Sequence, residues 1–382
     1  MTANSALPVT MVRTAPCLGF AMVAAAFITA CPASAQTPKA EPVARGLVHP
    51  WGLAFVPDGR LLVTERPGRL RIVNPRTNST SAPIAGLPAI AASGQGGLLG
   101  LALDPDFASN RFVYLCFSES RDGGSGTSVF RGKLALNFAS LEDGRVIFRQ
   151  MPAGNTGRHF GCRLVFGRDG TLFVTLGDRG NMMGEAQNLG SHIGKVIRIT
   201  RDGVAPADNP FVNQPGAKPE IFSYGHRNVQ GATLHPQTGL LYTVEHGARG
   251  GDEVNQPQAG KNYGWPVITY GIDYSGAKIG EGTRKAGMEQ PVFYWDPSIA
   301  PSGAMFYTGD KFPRWRGSLV TGGLAGQLLT ILDMRNGAIT GETRYLERLG
   351  ERIRDVVQGP DGFVYILTDD RDGQVMRLVP QP

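Results

Sequence analysis

One pattern recurs six times along this 382-residue chain, and it limits the fold more than any other feature. An apolar strand runs into a short polar turn, often Asp-Gly, and a second apolar strand follows. The copies lie at Trp51–Val73, Gly97–Ser118, Cys162–Asp178, Gly231–Glu245, Gly303–Gly322 and Arg354–Val379. Alternating Val, Ile, Leu, Phe and Tyr favour extended strands, and Asp-Gly supplies the positive φ that a tight hairpin needs. No stretch of similar length sustains a 3.6-residue apolar period, so the chain reads as all-β. The turn anchors Asp58, Asp104, Asp169, Gln237, Asp310 and Asp361 stand between 46 and 73 residues apart. Units of that size suit four-stranded blades, and six of them predict a six-bladed β-propeller. A β-sandwich is the alternative architecture, but six similar hairpins over this length are foreign to it. High glycine and proline content, 52 and 27 residues, fits a fold of short strands and many turns.

The first 35 residues differ. Arg13 is their one charged residue, Leu18–Ala30 is an uncharged apolar run, and Ala33-Ser34-Ala35 forms an A-x-A cleavage pattern. Residues 1–35 read as a secretory signal peptide and 36–382 as one domain, which places the protein in the periplasm or outside the cell. Ile28-Thr29-Ala30-Cys31 also resembles a lipobox, and acylation at Cys31 would instead tether the protein to a membrane surface, but cleavage after the well-formed A-x-A site is the expectation. Removing residues 1–35 takes away one arginine and lowers the net charge from +6 to +5. Basic residues are scattered, so no nucleic-acid partner is expected. The remaining cysteines, Cys116 and Cys162, lie in apolar or glycine-rich strand sequence. A disulfide is open to them in an oxidising compartment, but two buried thiols are the expectation.

Propellers bind ligands where loops from all blades meet, so function is sought between the hairpins. Five such segments are rich in glycine and polar residues: Gly94–Gly97, Arg158–Gly161, Gly225–Asn228, Glu245–Trp265 and Glu351–Asp355. Together they offer a candidate base, several fixed cations and a carboxylate-bearing loop. The strings GQGGLLGLALDPDF, HFGCRL with TLGDRG, YGHRNVQG, GGDEVN with GKNYGW, and ERIRDV with GPDG run in order from about His49 to the C-terminus. In that order they resemble the soluble aldose dehydrogenases that depend on pyrroloquinoline quinone (PQQ), the glucose/sorbosone dehydrogenase family. The resemblance implies a six-bladed propeller, in agreement with the repeat count. It also implies oxidation of an aldose sugar at its anomeric carbon to a lactone by hydride transfer to PQQ, with Ca2+ as second cofactor. No haem-attachment motif is present, so electrons are expected to leave to a separate soluble or membrane acceptor.

The same resemblance assigns residues. His159 matches the catalytic base, since a neutral imidazole can take a hydroxyl proton. Gln95, Arg227, Asn228, Arg352 and Arg354 are implied as PQQ contacts, with Tyr274 in GIDYSG a weaker one. The guanidinium fork suits the three carboxylates of PQQ. Arg352 and Arg354 are spaced i, i+2, which puts them on one face if both lie in a strand. One calcium ion is implied at the Gly247 and Ala248 carbonyls and another at the Glu253 carboxylate and the Tyr263 carbonyl, with Asp252 orienting groups nearby. His246 is open to either a functional or a structural role. His226 is expected to be structural, and His49, His192 and His235 read as ordinary loop or turn residues. Three positions depart from the pattern: Cys162 replaces a small residue, Ala325 stands where some members carry a lysine, and Asp296 stands where the glucose-selective branch has an aromatic. Two other classes share the architecture: a calcium-dependent lactonase, which needs carboxylates around a central ion, and a non-catalytic carbohydrate-binding propeller.

Overall fold

A computed structural model describes residues 37–381; the expected signal peptide at 1–35 lies outside the described residues. Those residues form six four-stranded antiparallel sheets and almost no helix, the longest α-turn being Phe107–Asn110. Each sequence hairpin becomes the first two strands of one sheet, and the copies at Trp51–Val73 and Arg354–Val379 run on into the third. In the first blade these are Pro50–Phe55 and Leu61–Glu65, followed by Arg69–Asn74 and Ser79–Thr80. The first strands of the six blades touch one another in sequence, and the last, Ile353–Gln358, returns to the first, Pro50–Phe55. The ring therefore closes, and the protein is a six-bladed β-propeller whose first strands surround the axis.

Local chemistry repeats from blade to blade. Gly59, Gly170 and Gly362 take positive φ at the hairpin turns. The preceding Asp58, Asp169 and Asp361 each accept a bond from the backbone N–H two residues on, at 3.0, 3.0 and 3.2 Å. Between blades the apolar faces merge: Leu62 and Ile72 of the first blade pack with Leu115 and Phe117 of the second. The strand Thr37–Leu47 pairs antiparallel with Gly373–Gln381 as the outer strand of the last blade. The two ends of the propeller are thus joined in one sheet by backbone hydrogen bonds, a pairing that no sequence repeat announces.

A second regularity decides what faces the axis. Five of the six first strands carry an extra residue near their start. Register passes from Pro50↔Glu65 to Gly52↔Thr64, from Val229↔Glu245 to Gly231↔Val244, and from Ile353↔Thr368 to Asp355↔Leu367. Similar shifts fall between Leu98 and Leu101 and between Pro301 and Ala304. A bulge leaves its extra residue outside the ladder and re-aims the side chain. Trp51, Gln230 and Arg354 are those residues, and all three line the central cavity described below. This corrects the same-face argument for Arg352 and Arg354: Arg352 precedes the strand and Arg354 is the bulged residue, so alternation along a strand does not align them.

Cys116 and Cys162 form a disulfide between the second and third blades, against the expectation of two free thiols. The sequence could not show it, because the partners belong to different blades and are 46 residues apart. Near the axis Arg163 and Asp355 form a buried ion pair at 2.9 Å. The Asp355 carboxylate also accepts from the Leu53 and Val356 amides, each at 3.1 Å. Arg163 Nε donates to the Gln230 carbonyl at 3.0 Å, and its guanidinium lies 4.4 Å from the centre of the Trp51 ring. A Cβ on Gly303 would come within 2.0 Å of Asp355 Oδ1, so the fifth blade reaches this pair only through glycine. Removing one partner of a buried pair leaves the other charge uncompensated. Asp355→Ala should therefore lower unfolding stability by about 3–5 kcal/mol, seen as an earlier guanidinium midpoint. A midpoint unchanged from wild type would show that the pair does not tie the blades.

Candidate functional site

The bulged residues surround a central cavity of about 250 Å³. Three arginines line it, Arg66, Arg352 and Arg354, and Asp369 is the one carboxylate among its lining residues. Arg354 Nη2 donates to Asp369 Oδ2 at 2.5 Å and its Nη1 to Gln230 Oε1 at 3.0 Å. Burial would raise the Asp369 carboxyl, but Arg354 beside it, helped by His49 and Arg66, holds it well below the usual carboxylate range. His49, expected to be an ordinary loop residue, has its Nδ1 3.0 Å from Asp369 Oδ1 and belongs to this network. Arg352 donates to the Leu324 carbonyl at 3.1 Å. Gln95 and Asn228 line the same cavity, and so does Ala325, which contributes no charge.

His159 adjoins this wall. Its backbone N–H donates to Gln95 Oε1 at 2.8 Å, and Phe160 and Gly161, which follow it, line the cavity. Its φ of +53 is one that few non-glycine residues adopt, and it marks a backbone held by its surroundings. Nδ1 lies 2.6 Å from Asp178 Oδ1. An ionised carboxylate only accepts, so Nδ1 carries the proton and Nε2 keeps its lone pair. Asp178 is fixed in turn by Trp265 Nε1–H at 2.9 Å and by the Gly180 amide at 2.8 Å. Burial lowers the His159 imidazole below its ordinary value; the Asp178 bond opposes this, and Arg227 reinforces it. For Asp178, burial pushes upward but the His159 contacts outweigh it, and the net shift is downward. The result is a neutral imidazole held in one tautomer beside a carboxylate, the arrangement a general base requires.

A smaller cavity adjoins the first across His246, with room for about one water-sized particle, about 10 Å³. Arg227, Gly247, Glu253 and Tyr263 line it. Arg227 donates to the His246 carbonyl at 3.1 Å and to that of Gly247, while its buried Nε has no partner. The Gly247 carbonyl is thus shared with an arginine, and Ala248 is buried next to it. Asp252 accepts from the Gly247 and Ala300 amides at 2.8 and 2.7 Å and so shapes this loop. Glu245 and Glu253 face each other through Asn255, whose amide donates to both, at 3.1 and 3.0 Å. Glu245 Oε2 and Asn255 Oδ1 are buried without hydrogen-bond partners; His226 Nδ1 is 3.3 Å from Glu245 Oε2 but poorly aligned. Burial, and then the Glu245 charge, raise the Glu253 carboxyl well above its usual value. Orphaned oxygens and a carboxylate pair in a space of this size suit a cation. Among the described residues no three His, Cys, Asp or Glu side chains converge, so a metal here would also draw on amide and carbonyl oxygens.

The structure therefore gathers Gln95, Asn228, Arg352 and Arg354 in one cavity, with His159 at its wall, and Arg227, Gly247, Glu253 and Tyr263 in the next. Tyr274 lies apart, 67% exposed and lining neither cavity. Asp296 is exposed beside Gly250. His246 lines both cavities; its Nε2 meets the Pro301 carbonyl at 2.8 Å, and burial with the Arg227 and Arg354 charges pushes it down to about 3. His226, expected to be structural, is buried with its Nε2 2.9 Å from Ser223 Oγ and its Nδ1 3.3 Å from Glu245 Oε2. His192, expected in an ordinary turn, is buried between the Met151 amide and Glu220. Sequence reasoning missed Arg66, Asp178, Glu245, Trp265 and Asp369. Asp178, Glu245 and Trp265 carried a signal, lying in TLGDRG, at the head of the Glu245–Trp265 segment and at the end of GKNYGW; Arg66 and Asp369 carried none.

The sequence profile of the Glucose / Sorbosone dehydrogenase family matches residues 47–377. The chain belongs to this family. Aldose sugar dehydrogenase YliI of Escherichia coli K12 is 46% identical over 353 residues, covering 91% of this chain and 95% of its own. The crystal structure of the soluble aldose sugar dehydrogenase of Escherichia coli in its apo-form superposes with a TM-score of 0.88 at 46% identity, over 90% of this chain and 100% of that one. The PQQ-bound aldose sugar dehydrogenase of Streptomyces coelicolor gives 0.77 at 30% identity, over 91% and 98%. This glucose/sorbosone dehydrogenase family member thus shares fold and nearly full length with sugar oxidoreductases.

The electrostatics of the dyad can be measured directly. The His159 imidazole should titrate below the ordinary value of about 6.5, and Asp178→Asn should lower it further by removing the partner that favours the charged form. Histidine proton–nitrogen NMR across pH 4–8 reads both. An imidazole titrating at or above the ordinary value would contradict the geometry.

Proposed function

We propose that the protein is a PQQ- and calcium-dependent aldose sugar dehydrogenase. It oxidises the anomeric carbon of an aldose to the lactone and passes the electrons to an external acceptor. One observation carries the reading: an oriented His–Asp pair stands at the wall of a cavity whose arginines outnumber its carboxylates. A neutral sugar does not require such a surplus of cations, whereas a planar tricarboxylate does. Relatedness to the aldose sugar dehydrogenases supports the sugar as substrate, and the PQQ-bound relative supports the cofactor. The lactonase alternative calls for carboxylates free to ring a central ion, whereas Asp355 and Asp369 near the axis are each taken up by an arginine.

In this reading Arg352 and Arg354 hold carboxylates of the cofactor, while Gln95 and Asn228 hydrogen-bond its edge. Glu253 and the Tyr263 carbonyl, joined by Glu245, hold one calcium ion. The second is assigned to the Gly247 and Ala248 carbonyls beside Arg227. When bound, PQQ supplies a quinone carbonyl able to accept hydride, and calcium supplies a Lewis acid to polarise it. The protein's own part is proton handling. His159 Nε2 takes the proton of the anomeric hydroxyl, and the Asp178 carboxylate stabilises the imidazolium that forms. The Trp265 indole N–H keeps Asp178 pointing at the imidazole. Placement in the periplasm or outside the cell is proposed from the N-terminal segment, and the Cys116–Cys162 disulfide supports an oxidising compartment.

His159→Gln should bind PQQ and calcium yet lose roughly 10²–10⁴-fold in turnover, with sugar KM changed much less. Single-turnover reduction of bound PQQ with excess aldose reads this, and a wild-type rate in the variant would exclude His159 as base. Wild-type activity should fall as pH drops through the depressed His159 pKa, because the imidazolium cannot accept a proton. Exhaustive chelation should abolish turnover, and calcium should restore it better than magnesium, whose strict octahedron suits these irregular oxygens less. Full activity in metal-free protein, verified by elemental analysis, would remove calcium from the mechanism.

A further inference from the structure

Arg66 is the third arginine of the central cavity, and the site as so far described leaves it without a role. It follows the strand Leu61–Glu65 in the first blade. Its backbone is clamped on both sides: the Arg66 amide donates to the His49 carbonyl at 3.0 Å, and the Arg66 carbonyl accepts from the Leu98 amide at 3.1 Å. Its stem crosses Gly97, where a Cβ would come within 2.6 Å of Arg66 Cγ and 2.0 Å of the Arg66 carbonyl oxygen. Gly97 also adopts φ +147, so glycine is required there on both counts. The fold thus spends a glycine to let this side chain through to the cavity.

The side chain lines the cavity with Arg352, Arg354 and Gln95; among the described residues its guanidinium makes no hydrogen bond or ion pair, and of the carboxylates only Asp369 acts on it, from a distance. The other two arginines have partners, Leu324 for Arg352, and Asp369 with Gln230 for Arg354. Asp369, the one carboxylate available, is already engaged by Arg354 at 2.5 Å and by His49. Three cations against one anion leave two positive charges unanswered in a partly enclosed space. The half-buried Arg66 head faces this cavity, feels the Asp369 charge without bonding to it, and can donate its fork to an anionic ligand placed there.

We infer that Arg66 is a further cofactor-binding residue, which donates to a carboxylate of the planar anionic cofactor alongside Arg352 and Arg354. The inference rests on the PQQ reading above. Arg66 binds through charge and through its fork, not by packing, since its stem lies against backbone and its head against open cavity. It therefore senses whether the ligand's carboxyl groups are charged.

The test is equilibrium binding of PQQ and of its trimethyl ester to metal-loaded apo-protein, followed by calorimetry, so that no turnover is needed. Wild type should bind PQQ far more tightly than the ester. Arg66→Gln should weaken PQQ binding roughly ten- to hundredfold and ester binding by less than about threefold, with an unchanged melting temperature of the apo-protein. Arg66→Lys keeps the charge but not the fork, and should fall between the two for PQQ; it also decides the matter if the glutamine variant fails to fold. A glutamine variant that matches wild type on PQQ overturns the inference alone, as do equal losses for acid and ester in both variants. Wild type that fails to bind PQQ removes the cofactor reading and this inference together.

Discussion

The buried Arg163–Asp355 pair is the interaction on which the architecture turns. A propeller blade cannot bury both faces alone, and neighbouring blades do this through interdigitated Leu, Val, Ile and Phe. Such contacts specify proximity but not orientation around an axis. Asp355 supplies orientation: its oxygens receive a guanidinium from the third blade and amides from the first and sixth, and Arg163 continues to the fourth through the Gln230 carbonyl. Breaking that set would leave a bare charge in the interior, so the ring has one arrangement that satisfies it. Trp51, under the Arg163 guanidinium, carries the constraint up to the cavity wall.

The bulges convert that framework into a site. Regular pairing would direct every second residue of the first strands into the inter-blade core. One added residue near the start of five of these strands breaks the alternation where the strands approach the axis, and Trp51, Gln230 and Arg354 emerge there. The polar groups so collected divide between two cavities. In the larger cavity the Arg66 guanidinium makes no hydrogen bond among the described residues; in the smaller one Glu245 Oε2 lacks a donor and Arg227 Nε lacks an acceptor. These open groups support the proposed pairing of an anionic cofactor with a cation.

The same charges keep the imidazoles neutral. His159 and His246 both feel Arg227, and both are buried, so protonation is disfavoured at each. They differ in what binds them: His246 Nε2 is taken up by the Pro301 carbonyl, whereas His159 has its Nδ1 engaged by Asp178. His159 Nε2 keeps a free lone pair for chemistry. Two buried histidines in nearly one field thus play different parts because different ring nitrogens are occupied.

Six hairpins, three of them with Asp-Gly turns, were legible in the amino-acid order, because strand alternation and turn chemistry are local properties, and they sufficed for the propeller. The motifs around Gln95, His159, Arg227, Glu253 and Arg352 were legible for the same reason, as runs of residues whose order along the chain could be compared. What was not legible joins segments far apart. The closing strand Thr37–Leu47 meets Gly373–Gln381 across the full length of the domain. Cys116 reaches Cys162 across a blade boundary. Asp178 and Trp265 meet at 2.9 Å although 87 residues separate them, and Arg66 enters the cavity because a glycine of the next blade makes room. Sequence by itself determined the repeated unit and the residues able to do chemistry. Tertiary structure decided which of them face one another, because hydrogen bonds, bulges and desolvated charges depend on distances that only the closed ring creates.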